Sequence, residues 1–298
     1  MTKITSIALL GFGEVGQALA DDLQRHAGIT LSAWDIKFAQ PQSGPALAAQ
    51  RISRRGTNAA DAVHGAQLVI SAVTAAQTQE AAAAAAPGIA AGSYYLDLNS
   101  ASPGQKQQAA KAIENRGGHY VEAAVMSPIF PRRLASPILL GGPYAESFMG
   151  PARELGFSAV SVFSQVIGAA SAAKMCRSIV VKGLEAILTE SMLAARHYHV
   201  DETVLASLGD LIPGPDWPKL TGYMISRSIE HGTRRAEEMR EAARTASEAG
   251  VEPLMSAACA QRQDLAPRFA PALQHATLAG MLDAMLEQMP EPMKRQIS

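Results

Sequence analysis

Lys174 lies in the segment Gly168-Ala169-Ala170-Ser171-Ala172-Ala173-Lys174-Met175-Cys176-Arg177-Ser178, where helical spacing puts an amine and two hydroxyls, Ser171 and Ser178, on one face. Arg177 is close by. Small neighbours leave room for a substrate, and partial removal from water moves a lysine toward the range useful for proton transfer. The same position also suits an ordinary solvated helix lysine. A second constellation carries different chemistry. The apolar run Ile7-Ala8-Leu9-Leu10 feeds Gly11-Phe12-Gly13-Glu14-Val15-Gly16, and Asp35 follows nineteen residues after the last glycine. Glycines at this spacing between a strand pattern and a helix pattern, with an acid beyond, make a dinucleotide site.

Each glycine has a distinct physical role there. Gly11 permits a tight turn, Gly13 lets backbone approach a pyrophosphate, and Gly16 lets the helix pack against the strand. A helix starting near Glu14 points unpaired N–H groups and its positive dipole end at the phosphates. Asp35, closing the run Leu31-Ser32-Ala33-Trp34-Asp35, can accept from both adenosine ribose hydroxyls and would repel a 2′-phosphate, which favours NAD slightly over NADP. Lys37 pulls the other way, since a cation there pairs with a 2′-phosphate.

The elements that must position these residues follow from the hydrophobic pattern. Residues 67–73, 93–98, 119–123, 137–140 and 159–163 read as strands separated by helix-like or glycine-containing segments. That alternation predicts an α/β Rossmann-type domain over residues 1–164, a doubly wound, largely parallel sheet with helices on both faces. Beyond it the character changes. A helical pattern about 29 residues long over 169–197 is followed by patterns at 202–211, 218–248, 253–263 and 270–288, which predict an all-α domain over 165–298 for substrate binding and dimerisation. A helix so long needs neighbours to bury it, so a homodimer or higher homo-oligomer is expected.

Composition narrows the function classes. With 298 residues, 48% hydrophobic, and a formal charge of −1, the chain suits two packed domains and shows no basic surplus for nucleic acid or an anionic membrane. The expected partner is a small-molecule substrate. Cys176 and Cys259 fit neither a metal spacing nor a disulfide framework, which suits a reducing compartment. Glu14 interrupts the apolar stretch before a signal-peptide core forms, and the alanine-rich 81–91 stretch is too short to span a bilayer, so a cytoplasmic location is expected. His197 and His199, two apart on a helix, point in different directions, so no metal site is expected.

Along most of its length the chain resembles the β-hydroxyacid dehydrogenase family, which includes 3-hydroxyisobutyrate and 6-phosphogluconate dehydrogenases. The glycine motif matches. Asp97-Leu98-Asn99-Ser100-Ala101-Ser102-Pro103 looks like the family's D-x-x-[ST]-x-x-P segment, and Gly168 to Lys174 is similar to its G-x-G-x-x-x-K segment, with Ala170 at the second glycine. The resemblance implies that Lys174 is the general acid/base of a hydride-transferring oxidoreductase. It further implies that Ser100 contacts substrate and that Val73 and Thr74 line the cofactor. Ser100 could instead bond backbone in a turn, and Thr74 could cap a helix.

The chain departs from the family in three further places. Where the family has D-x-P-V-S-G-G, holding a substrate carboxylate, the sequence reads Glu122-Ala123-Ala124-Val125-Met126-Ser127-Pro128. Pro128 removes an N–H donor and Met126 replaces a hydroxyl, leaving Ser127, with Arg132 or Arg133 as a charged supplement. Arg177 and Ser178 stand where paired asparagines are usual and are taken as substrate contacts. The family's lysine–aspartate pair falls near Glu237-Glu238. Together with Val-Met-Ser-Pro and Lys-Met-Cys-Arg-Ser, these features look like a divergent branch with a carboxy-terminal domain formerly of unknown function. The expected activity is NAD(P)-dependent interconversion of a hydroxy acid, or a related alcohol, with its carbonyl compound. The alternatives are imine reduction and non-catalytic dinucleotide binding.

Overall fold

The computed structural model describes residues 3–289. The chain divides into two compact units. One holds the described residues up to Cys176 together with Arg244–Val251, and the other holds Arg177–Ala243 and the residues from Glu252 on.

The first unit alternates strand and helix. In order it contains β1 (Ser6–Leu10), α1 (Glu14–Leu23), β2 (Thr30–Trp34), α2 (Gly44–Ala48), β3 (Arg54–Arg55), α3 (Ala59–Val63) and β4 (Leu68–Ser71). There follow α4 (Thr78–Ala85), β5 (Tyr94–Asp97), α5 (Pro103–Glu114), β6 (His119–Val125), β7 (Ile138–Gly141), α6 (Ala145–Glu154) and β8 (Val160–Ser164). The strands form one eight-stranded sheet ordered β3-β2-β1-β4-β5-β6-β7-β8. Every pairing is parallel except β6 with β7, where Glu122 faces Gly141 and Val125 faces Ile138.

Burial on both faces of the sheet explains why its strands read as continuous apolar runs rather than alternating ones. Ile7 and Leu9 of β1 enter a core with Leu19 and Leu23 of α1 and Phe148 of α6. Ala8 and Leu10 enter the opposite core, with Ala62 of α3, Ala82 of α4 and Ile113 of α5. The two-residue β3 carries no periodic signal and was not expected from the sequence.

The helical region contains α7 (Ala169–His197), α8 (Asp201–Leu211), α9 (Trp217–Glu248), α10 (Leu254–Leu265) and α11 (Leu278–Glu287). Leu188 and Met192 of α7, Leu205 of α8, Ile225 and Ile229 of α9 and Leu282 of α11 form the core of the second unit. The single helix expected over 270–288 is broken. A 3₁₀ stretch, Ala266–Gln274, contains Pro271, and α11 begins afresh where Thr277 accepts the Gly280 N–H at 3.1 Å. Among the described residues no helix is long and apolar enough to cross a membrane, and no three His, Cys, Asp or Glu side chains converge as a metal site.

Candidate active site

The glycine loop follows from where a Cβ would and would not fit. Gly11 has φ +86°, and a Cβ there would stand 2.5 Å from the Ala72 carbonyl oxygen. On Gly16 it would stand 2.1 Å from the Gly11 carbonyl oxygen, so α1 reaches the loop only with hydrogen at that position. Gly13, at the N-cap of α1, differs: its Cβ would meet nothing within 4 Å. The loop thus leaves a hollow at a helix N-terminus, which fits a pyrophosphate. Glu14 is exposed in the first turn of α1, and Val15 packs half-buried against the core.

Asp35 ties this loop to the end of β2. Its Oδ2 accepts the Phe12 N–H at 2.7 Å and its Oδ1 accepts the Lys37 N–H at 2.8 Å. The Phe12 side chain is 1% exposed and meets Phe38 edge-on, so it serves the core and faces no ligand. Lys37 is exposed. On the neighbouring strand end Val73 gives its N–H to Asn99 Oδ1 at 2.8 Å, and exposed Thr74 precedes a 3₁₀ turn without capping it through its side chain.

Lys174 and Ser100, 74 residues apart, come together: Lys174 Nζ donates to Ser100 Oγ at 2.6 Å. Two buried carboxylates hold the elements that carry them. Glu122 of β6 accepts the Gly168 N–H at 2.7 Å and the Ser171 N–H at 2.6 Å, so a negative charge caps the start of α7, three residues before Lys174. Gly141 opposite makes room for it, since a Cβ there would stand 2.5 Å from Glu122 Oε2. Asp97, at the end of β5, accepts from Lys106 Nζ at 2.9 Å, from Tyr120 Oη at 2.6 Å and from the Asn99 N–H at 2.9 Å. Lys106 also donates to the Asp97 carbonyl at 3.0 Å. Burial, reinforced by the Asp97 charge, holds the Tyr120 phenol well above its usual range, so it stays a donor.

A third carboxylate brings a distant segment into the first unit. Glu248 accepts from Ser102 Oγ at 2.8 Å and from the Gly104 N–H at 3.0 Å, at the N-terminus of α5. Asp97, Asn99, Lys106, Glu122 and Glu248 had no assigned role in the sequence reading. The first four lie at or beside matched motifs, but neither periodicity nor spacing marks a carboxylate as buried.

The remaining sequence candidates differ in how they are held. Ser127 turns its hydroxyl onto the neighbouring Pro128 carbonyl at 3.0 Å, while the Met126 N–H is used by the Pro137 carbonyl at 2.8 Å. Arg133, expected as a supplement to the anion cradle, is committed elsewhere. It donates to the Ala18 carbonyl at 2.6 Å and pairs with Asp22 at 3.0 Å, fastening its loop to α1. Arg177 and Ser178 belong to the second unit, Arg177 exposed and Ser178 buried. Ser178 Oγ accepts from Lys182 Nζ at 3.3 Å, and Lys182 pairs with Glu238 at 2.5 Å. Next to them Glu185 pairs with Arg235 and accepts from Gln263 at 3.2 Å. Burial raises the Glu185 carboxyl above its usual range.

Residues 6–142 match the NAD binding domain of 6-phosphogluconate dehydrogenase, and residues 195–265 match a Domain of unknown function (DUF1932). The mitochondrial 3-hydroxyisobutyrate dehydrogenase of Bos taurus is 22% identical over 228 residues, which cover 73% of this chain and 65% of that protein. The match thus spans just under two thirds of that relative's length. The crystal structure of a conserved hypothetical protein from Sinorhizobium meliloti 1021 is similar over 97% of this chain and 98% of that one, with 32% identity and a TM-score of 0.76. The 3-hydroxyisobutyrate dehydrogenase of Mycobacterium tuberculosis, solved with L-serine, shares the fold at 17% identity over 95% of this chain and 99% of that one, with a TM-score of 0.69. With its glycine loop at the end of β1 and its lysine in the first turns of α7, the chain belongs to the β-hydroxyacid dehydrogenase family.

Proposed function

We propose that the chain interconverts a hydroxy acid, or a related alcohol, and its carbonyl compound, with Lys174 as the proton carrier. The observation that carries this reading is the 2.6 Å hydrogen bond from Lys174 Nζ to Ser100 Oγ. It aligns an amine and a hydroxyl, both able to meet the same substrate oxygen. A bound nicotinamide supplies the acceptor or donor for the hydride. The chain does the rest. Gly11, Gly13 and Gly16 shape the pyrophosphate hollow, Asp35 stands toward the adenosine ribose, and Val73 and Thr74 flank the nicotinamide side. In oxidation Lys174 Nζ takes the hydroxyl proton while Ser100 Oγ holds the substrate oxygen, and in reduction Lys174 returns it.

Asp35 supports NAD as the coenzyme, and the exposed Lys37 beside it supports some acceptance of NADP. The substrate-carboxylate cradle of the family is reduced to Ser127, whose hydroxyl bonds within its own loop. This supports a substrate whose second group is larger or less charged than a short hydroxy acid's carboxylate, with Ser127 as a polar contact. Val180 and Ile187, one heptad apart on α7, are 70% and 54% exposed, which supports a homodimer or larger assembly. The reading is of a cytoplasmic enzyme with a small-molecule partner.

The test is a panel of hydroxy acids, amino alcohols, aryl alcohols, ketones and cyclic imines with NAD(H) and NADP(H), followed by nicotinamide absorbance. With the best substrate, Lys174→Ala should lower kcat about 10²- to 10⁴-fold while leaving coenzyme affinity near wild type. Unchanged turnover would remove Lys174 from the mechanism. Turnover of imines alone would shift the reaction to imine reduction, and coenzyme binding without any turnover would leave a dinucleotide-binding protein.

A further inference from the structure

Hydrogen bonds, a close packing contact and one peptide link connect the glycine loop to the Lys174–Ser100 pair, and they pass through one buried carboxamide. Asn99 is 4% exposed. Its Oδ1 accepts the Val73 N–H at 2.8 Å, its Nδ2 donates to Ser71 Oγ at 3.0 Å, and its own N–H donates to Asp97 Oδ1 at 2.9 Å. The Leu98 N–H donates to the Ser71 carbonyl at 3.0 Å and continues the ladder between the two strand ends. On one side Val73 abuts the glycine turn, where a Cβ on Gly11 would stand 3.0 Å from Val73 Cγ1. On the other side the next residue is Ser100, which accepts from Lys174.

A carboxamide suits this position. It offers an acceptor and a donor in one rigid plane without adding a second charge beside Asp97. Alanine loses both bonds, and leucine would keep the bulk while leaving the Val73 N–H without its acceptor.

Resting on the function proposed above, we infer that Asn99 is a positioning residue whose carboxamide clasps the coenzyme-side loop at Val73 to the loop carrying Ser100. Coenzyme binding and placement of the Lys174–Ser100 pair are thereby set together. The clasp explains why a side chain that meets no reacting atom lies between two loops that do. It also gives the buried Asp97–Lys106 pair a purpose, because Asp97 holds the Asn99 backbone from below.

The experiment compares wild type, Asn99→Ala and Ser71→Ala by three measurements: amide hydrogen exchange at Val73 without ligand, the dissociation constants of NADH and NADPH from fluorescence, and kcat with KM for coenzyme. Asn99→Ala should speed Val73 exchange about tenfold or more relative to the amides of β4. It should weaken dinucleotide binding about five- to tenfold and lower kcat together with it. Ser71→Ala, which keeps the Val73 bond but frees the carboxamide, should shift all three in the same direction by less. A merely structural asparagine would lower the thermal midpoint and leave coenzyme KM and affinity of the folded protein unchanged. Val73 exchange and coenzyme affinity within about twofold of wild type in Asn99→Ala would overturn the clasp, as would the same result in Ser71→Ala should Asn99→Ala not fold. A wild type that binds no dinucleotide would refute the proposed function instead, and Val73 exchange would still decide the clasp.

Discussion

Replacing Glu122 by glutamine tests how α7 presents its lysine. The carboxylate is fully buried and takes two backbone N–H groups, at 2.7 Å from Gly168 and 2.6 Å from Ser171. Glutamine keeps the shape but sets an NH₂ against one of those donors, leaving buried donors unsatisfied at about 1–3 kcal/mol. Loss of the negative charge at the helix N-terminus adds about 0.3–1 kcal/mol, up to ~2 in a buried setting. The sum is about 1–5 kcal/mol, a fall of roughly 3–20 °C in the unfolding midpoint of the first unit. Lys174 lies three residues beyond Ser171, so a displaced first turn moves Nζ away from Ser100. A misplacement of about 1 Å costs on the order of 100-fold, so kcat should fall at least about tenfold. Dinucleotide affinity should stay within about threefold, because the glycine loop makes no contact that the substitution removes. Glu122→Asp, whose carboxylate is withdrawn by one methylene, should fall between the two. The assays are thermal unfolding by circular dichroism and steady-state kinetics at a temperature where the spectrum is native. Lost stability with intact kcat would refute the link to Lys174, and a variant that loses neither would refute the capping role.

The glycine loop separates two kinds of loss. Gly16→Ala, with its Cβ 2.1 Å from the Gly11 carbonyl oxygen, should destabilise by about 1–3 kcal/mol or more in denaturant titrations. Gly13→Ala meets nothing within 4 Å. It should keep stability within about 1 kcal/mol and weaken dinucleotide binding at least about tenfold, and wild-type affinity would contradict the assigned hollow. Lys106→Met strands the buried Asp97 carboxylate and should cost about 3–5 kcal/mol, of which Asp97→Asn in the same chain should recover at least half. Burial pushes the Cys259 thiol up to about 11, whereas Cys176 is exposed. A thiol reagent at about pH 8 should therefore label Cys176 alone in the native protein, read by peptide mass spectrometry. Because the raised value favours the protonated thiol in the fold, its contribution to stability is complete below the unfolded thiol's value and disappears as pH climbs through about 11.

How far the sequence was legible depends on the range of the interaction that sets each feature. The apolar runs of β1, β4 and β5 and the glycine spacing after β1 are local, and they announce a parallel sheet with a turn that admits no side chain at Gly11 or Gly16. The 3₁₀ break before α11 was less legible. Pro271 signals it, but the alanines and leucines on either side carry a helical pattern through it. Motif order alone names Lys174 and Ser100, and their 2.6 Å meeting requires β5 and the start of α7 to end side by side.

What the sequence hides is which charges are buried. Lys106 stands in Pro-Gly-Gln-Lys-Gln-Gln, a string that reads as a solvated helix face, yet it is fully buried against Asp97. Glu248 closes the last turn of a polar helix and is exposed, as it reads, yet its carboxylate holds Ser102 and Gly104 from 146 and 144 residues away. Glu122 likewise serves backbone groups 46 and 49 residues downstream. Each of these carboxylates terminates a hydrogen-bonding demand created elsewhere in the chain, at a helix N-terminus or a strand end, where backbone N–H groups have no intrahelical acceptor. Such a demand has no fixed spacing from the residue that answers it. The groups that carry chemistry therefore emerge from local motifs, whereas the groups that aim them, Glu122, Asp97 and Asn99, emerge only once the strands are laid side by side.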